Sequence, residues 1–138
     1  MLEDRKNDLV VSLARRVRAR IQDGRSSFDA LVECQNHALT AAMASVEYDI
    51  FMSMRKAEGE TPSSGIAEQL EPLRCLFALS TVERRRAWYL EEGYLDPPKT
   101  KAIRRQVTKL CAEVRPQAVP LVDAFAVPSA CLEGSIAV

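Results

Sequence analysis

Along residues 3–22 the apolar side chains Leu9, Leu13, Val17 and Ile21 recur every four positions, with Val10 and Ala14 beside them and Arg15, Arg16, Arg18 and Arg20 over the remaining surface. That recurrence tracks the 3.6-residue turn closely enough to hold one face, so the segment is expected to be an amphipathic helix. Gly24, following Asp23, supplies its stop, because glycine adopts the left-handed conformation that closes a helix. Ser27 precedes Phe28 and a stretch free of Gly and Pro to about Lys56, along which Phe28, Leu31, Val32, Leu39, Met43, Val46, Ile50 and Met54 keep the helical period. It reads as one unbroken helix, the longest of the chain, and Ala38, Ala41, Ala42 and Ala44 allow a neighbouring helix to approach closely.

The polar run from Gly59 to Gly65 is the clearest loop signal. Beyond it Ile66, Leu70, Leu73, Phe77, Ser80 and Trp88 hold a helical face to about Glu92, with Pro72 marking a helix start or a kink and Gly93 an end. Asp96-Pro97-Pro98 has the signature of a helix beginning, with Asp96 as N-cap and Pro97 in the first position. Ile103, Val107, Leu110, Cys111 and Val114 then line one side. Pro116 and Pro120 allow a short helix carrying Leu121, Val122 and Phe125, and Pro128 opens a tail turn with Leu132. Val, Ile and Thr total 22 against 32 for Ala and Leu, which favours helix over strand. The expected fold class is all-α, an antiparallel bundle of about four long helices plus short C-terminal ones, with residues 1–138 as a single helical domain.

A chain of 138 residues can bury a real core without disulfides or metal, but it has no room for a dinucleotide-binding domain beside a substrate domain. The 19 basic and 19 acidic side chains cancel, which excludes the excess of cations on which nucleic-acid and membrane-surface binders depend. Their placement is uneven: residues 1–25 carry 7 basic and 4 acidic groups, 26–71 carry 2 and 8, 72–115 carry 10 and 5, and 116–138 carry 0 and 2. An acidic middle between basic flanks suits pairing within the protein or between subunits. No run reaches the length of a membrane span, the N-terminus has no signal-peptide core, and GSIAV is not an SKL-type ending, so a cytoplasmic, bacterial-type location is expected.

Candidate chemistry is sparse. Cys34, Cys75, Cys111 and Cys131 are too far apart for a zinc or redox motif and are expected as core-filling thiols. His37 is the single histidine, which excludes a multi-histidine metal site; Glu33 four residues earlier does not make a di-iron pattern. Arg84, Arg85 and Arg86 precede Trp88 and Tyr89, but consecutive helical residues point about 100° apart, so three solvated or ion-paired arginines are expected rather than a base-stacking patch. Lys99, Lys101, Arg104 and Arg105 follow a helix N-terminus able to hold a phosphate, with Asp96 competing for the same N–H groups. No phosphate-loop, nucleophile-elbow or dinucleotide motif is present, and no catalytic, cofactor-binding or metal-binding residue is assigned. The candidate interface is Trp88, Tyr89 and Tyr94, expected to lie in an apolar surface patch.

The run Ala78–Glu83, then Trp88–Leu95 and Lys99–Ile103, continuing through Leu110–Ala118 and Leu121–Phe125, resembles the C-terminal helical domain of acyl-CoA oxidases over about 55 residues. Residues 28–54 are similar, more loosely, to the long helix before it. The resemblance implies part of an FAD-dependent enzyme of fatty-acid β-oxidation, which converts acyl-CoA and O₂ to trans-2-enoyl-CoA and H₂O₂ and works as a dimer. It also implies that the general base and the flavin site lie in other domains. The isolated chain is then expected to be inactive and to hold no cofactor, FAD belonging to the complete enzyme. Its partner would be a flavin-bearing acyl-CoA oxidase- or dehydrogenase-like polypeptide, or the remainder of the same enzyme, in an oligomer. The alternative is a free-standing helical interaction scaffold that has lost the enzyme. Two departures stand out: Arg85 and Ala87 replace an acid and a glycine usual around the tryptophan, and Ala126 replaces a glycine before the next turn.

Overall fold

The computed structural model describes the backbone of residues 1–60, 64–128 and 131, and the side chains of all of these except 64–69. Among the described residues every regular element is helical. α1 spans Leu2–Gln22, α2 Ser27–Glu33, α3 Gln35–Glu60, α4 Ser64–Arg84, α5 Arg86–Glu91, α6 Pro97–Val114 and α7 Ala118–Asp123, with a 3-10 turn at Arg115–Gln117 before α7. The four long helices are α1, α3, α4 and α6, and the all-α class expected from the sequence is the class observed.

The stops fall where the backbone chemistry puts them. Gly24 and Gly93 have φ of +88° and +74°, the left-handed conformation in which a β-carbon would be strained. Asp96 caps α6: its Oδ1 accepts from the Lys99 backbone N–H at 2.8 Å, with Pro97 following. That N–H, with the Lys99 ammonium 3.1 Å away, holds the Asp96 carboxyl below its usual 3.8. A depressed folded-state pKa stabilises above the unfolded value and is lost as pH falls through the folded one. Asp96→Ala should therefore lower the melting temperature at pH 7, and the gap to the native protein should shrink on acidification toward pH 2; a gap that stays constant would rule out the charged cap.

Two continuous helices expected from the sequence are each broken once. The stretch from Phe28 to Lys56 divides at Cys34 (φ −98°, ψ 6°), and that from Ile66 to Glu92 divides at Arg85 (φ −99°, ψ 14°). Both conformations lie in the bridge region, open to any residue, so neither break needs Gly or Pro. Each break coincides with an ion pair to another helix. Glu33 meets Arg20 at 3.0 Å and Arg25 at 3.1 Å, tying α2 to the end of α1. Arg85 donates through Nε and Nη2 to Glu47 Oε1 of α3 at 3.1 and 2.9 Å. The loop expected over Gly59–Gly65 is shorter than its composition suggests: α3 runs through Glu60 and α4 begins at Ser64, with 61–63 outside the described residues. Pro72 lies inside α4. Leu132 also lies outside the described residues, while the turn after Pro128 is present, with Cys131 N donating to Pro128 O.

α3 is the hub. It runs antiparallel to α1, since Arg5 meets Glu47 while His37 meets Leu9, and antiparallel to α4, since Glu58 meets Arg74 and Glu47 meets Arg85. α6 then packs along α4, with Arg104 on Glu83. One core group joins Leu2, Val82, Tyr89 and Leu95 with Ile103 and Phe51 against it; the other joins Leu9, Ala41 and Ala44, with Trp88 bridging the two. The alanines sit where α1 and α3 approach, as their small size predicts. The acidic middle pairs with the basic flanks: Glu33, Glu47 and Glu58 bind Arg20, Arg25, Arg5, Arg85 and Arg74.

Candidate functional site

The break at Arg85 and the turn at Gly93 aim α5 and its following loop at α1, and this brings the three aromatic candidates together. Tyr89 is fully buried at 0% exposure, and its hydroxyl donates to the Met1 carbonyl at 3.2 Å. Trp88 is half-buried, with its ring edge-to-face with Tyr89 at 5.0 Å and stacked on Tyr94 at 5.5 Å. Tyr94 keeps 39% of its surface, and its hydroxyl donates to Asp8 Oδ2 at 2.7 Å. The Arg5 guanidinium lies 5.9 Å from the Trp88 ring centre. As contact residues the three therefore differ. Trp88 and Tyr94 present an edge to solvent, whereas Tyr89 has no surface to offer and is core, sealed in by α1 and its neighbours.

The apolar surface expected around these rings is found elsewhere. Phe28, Leu31 and Val32 of α2 and Leu39, Met43, Val46 and Ile50 of α3 are all exposed, as are Val119, Val122 and Phe125 on and just after α7. The periodic stripe that the sequence assigns to the core of a long helix thus points outward, opposite Ala41, Ala44 and Glu47. Ala87 is exposed, so its methyl group fills no helix contact inside this chain. Ala126 has φ +49°, a left-handed conformation in which its β-carbon is strained and glycine would not be, which is why glycine suits that position.

The remaining candidates resolve into internal pairings. His37 Nε2 lies 3.2 Å from the Leu9 carbonyl and is a satisfied, half-buried histidine. Arg84, Arg85 and Arg86 reach Thr81, Glu47 and the Glu83 carbonyl, three different directions, as helical geometry requires. Asp96 occupies the N–H groups at the start of α6 that a phosphate would need. Of the four free thiols only Cys34 is a core residue; Cys75 is half-buried, and Cys111 and Cys131 are exposed, which corrects their expected core-filling role. Cys111 shares a turn of α6 with buried Leu110 but points about 100° away from it. Among the described residues no three His, Cys, Asp or Glu side chains converge as metal ligands, and no helix is long and apolar enough to cross a membrane.

The sequence reading missed the best-organised polar group, Arg5–Glu47–Arg85. Its signal was present: Arg5 falls between Leu2 and Leu9 on the buried side of α1, and Glu47 continues the three-residue recurrence of Ala41 and Ala44. A charge inside an apolar stripe is a buried charge awaiting a partner.

Two cavities could be considered for a ligand. One of about 540 Å³ between α1, α3 and α5 is lined by Asp8, Arg15, Arg16, His37, Glu91 and Glu92, charges of both signs that favour neither anion nor cation. The other, about 330 Å³, is an apolar hollow among Leu2, Tyr48, Phe51, Met52, Leu79 and Val82, at the small end for organic ligands. Neither joins an apolar slot for a flavin ring to a cradle of backbone N–H groups for its pyrophosphate, so the described residues alone do not fit FAD.

What these features define is a class: a helical bundle with internally satisfied polar groups and an uncovered apolar exterior, made to be packed against more protein. The family whose sequence pattern matches residues 1–138 is described as Acyl-CoA oxidase, and the chain belongs to that family. It is 34% identical over 89 residues to acyl-coenzyme A oxidase 3, peroxisomal, of Arabidopsis thaliana (64% of this chain, 13% of the relative). It is 32% identical over 119 residues to acyl-coenzyme A oxidase 2, peroxisomal, of the same plant (84% and 17%), and 28% identical over 101 residues to the acyl-coenzyme A oxidase-like protein of Mus musculus (73% and 16%). The chain thus spans less than a fifth of the length of these relatives. No solved structure matches it.

Proposed function

We propose that this chain is the terminal helical part of an FAD-dependent acyl-CoA oxidase, either a C-terminal domain or a small subunit, that supports a dimeric enzyme and does not itself carry the chemistry. The remainder of the enzyme would oxidise acyl-CoA to trans-2-enoyl-CoA with FAD and pass the electrons to O₂, giving H₂O₂. The observation that carries the reading is the family match over residues 1–138 by a chain less than a fifth as long as its relatives. The absence of a flavin-shaped cavity and the uncovered faces of α2, α3 and α7 support it.

The isolated chain should then show no flavin absorbance and no acyl-CoA-dependent peroxide, while drawn from its native source it should co-purify with a larger flavin-bearing polypeptide. Stoichiometric FAD in the purified chain would overturn the proposal. The same exposed faces also suit a free-standing scaffold, which predicts co-purification with proteins that hold no flavin.

A further inference from the structure

The outward side of α3 has a period of its own. Leu39, Met43, Val46 and Ile50 are spaced 4, 3 and 4 residues apart and are 65%, 51%, 52% and 42% exposed. This is the 3.5-residue repeat of a coiled-coil seam, and Asn36 and Ser53, one step beyond each end, bound it with uncharged polar side chains. From Asn36 to Ser53 the seam runs about 26 Å, and the nearest charge round the helix is Asp49 at its edge. The opposite side of the same helix already packs on α1 and α4. A helix apolar on both sides is one that is covered on both sides.

The seam is complementary to itself when reversed. Placed antiparallel about a two-fold axis midway between Ala44 and Ser45, Leu39 faces Ile50 of the second copy, Met43 faces Val46, and Asn36 faces Ser53. Apolar thus meets apolar and polar meets polar in every layer, as an isologous contact requires. With Phe28 and Leu31 of α2 at its flank, the face offers on the order of 600 Å² per copy, near the roughly 800 Å² per partner of a standard interface. The absence of charge along it matches the depletion seen at the centres of such interfaces.

We infer that the outer face of α3 is a homodimer surface, occupied by α3 of a second copy in antiparallel register, with Met43 and Val46 as the central layer. The inference stands on this face alone and succeeds or fails separately from the flavin reading. The test is the mass of the 138-residue chain by sedimentation equilibrium across a concentration series. The native chain should pass from monomer to dimer. Met43→Glu and Val46→Lys should each weaken self-association by about 100-fold or more, because each buries a charge against an apolar side chain twice by symmetry. Both positions are exposed in the monomer, so helix content by circular dichroism should not change. Mixing the two variants should restore a dimer, since in this register the new glutamate of one copy faces the new lysine of the other while the second central layer stays native. A native chain that is monomeric throughout, a dimer indifferent to both substitutions, or a mixture that stays monomeric would each overturn the inference. So would α3 being covered by a larger flavin-bearing polypeptide while the chain alone stays monomeric.

Discussion

Replacing Glu47 by alanine is expected to remove about 3–5 kcal/mol of folding stability, a large part of what a chain of this size has to lose. Glu47 is 6% exposed at the middle of α3, and both of its oxygens are in use. Oε2 accepts from Arg5 Nη1 at 2.7 Å, and Oε1 accepts from both Nε and Nη2 of Arg85. The two arginines are not equivalent. Arg85 keeps 37% of its side-chain surface and can turn to water, whereas Arg5 keeps 3% and its Nε already has no partner. Loss of the carboxylate leaves the Arg5 charge buried and uncompensated, which costs far more than the attraction of an exposed pair is worth. Arg85→Ala should therefore cost much less than Glu47→Ala, and Arg5→Met with Glu47→Leu together should recover most of the loss, because the charge leaves with its partner. Urea unfolding followed by circular dichroism measures all three. A Glu47→Ala protein within 1 kcal/mol of the native one would show that Arg5 finds water, and would end this account.

The same triad marks the limit of what could be read from the sequence. Helix ends governed by local chemistry were legible: Gly24, Gly93 and the Asp96-Pro97 start stand where the residues indicated. The breaks at Cys34 and Arg85 were not, because each is set by an ion pair reaching across the bundle, and no local pattern announces a bridge-region residue. The long stripe Phe28 to Ile50 was seen correctly as periodic and assigned to the wrong side. Periodicity reports that a face will be covered but not by what, and a helix flanked by two partners carries two stripes. The family was legible from the contiguous run Trp88–Leu95 and its surroundings. The function of the three aromatic rings was less so, since a motif preserves residues that build a core as well as residues that meet a partner.

Tyr89 carries the second large effect. Tyr89→Ala is expected to cost about 3–5 kcal/mol, the range for emptying an aromatic site in a core that cannot collapse. The ring is enclosed by Leu2, Val82 and Leu95 and sits edge-to-face with Trp88, so its loss unseats α5 from α1 and should also shift Trp88 fluorescence. Tyr89→Phe separates the ring from the hydroxyl: it keeps the packing and gives up only the bond to the Met1 carbonyl, about 1 kcal/mol at neutral pH. Alkali then distinguishes the two proteins further. Burial, opposed by the nearby Arg5 charge, pushes the Tyr89 phenol up to about 12, while Tyr94 reaches about 12 through its hydrogen bond to Asp8. A folded-state pKa raised above the ordinary 10 means that the neutral phenol belongs to the folded state. Its stabilisation is complete below pH 10 and is lost between 10 and 12, at about 1.4 kcal/mol per pH unit for this one group. The native chain should lose stability across that window more steeply than Tyr89→Phe by this slope, with the lysines and Tyr94 titrating alike in both. Unfolding curves at pH 9, 10, 11 and 12 settle it: parallel pH profiles would mean that the phenol reaches solvent as readily as the folded ring ionises, and that the seal formed by Met1 and α1 over Tyr89 opens freely.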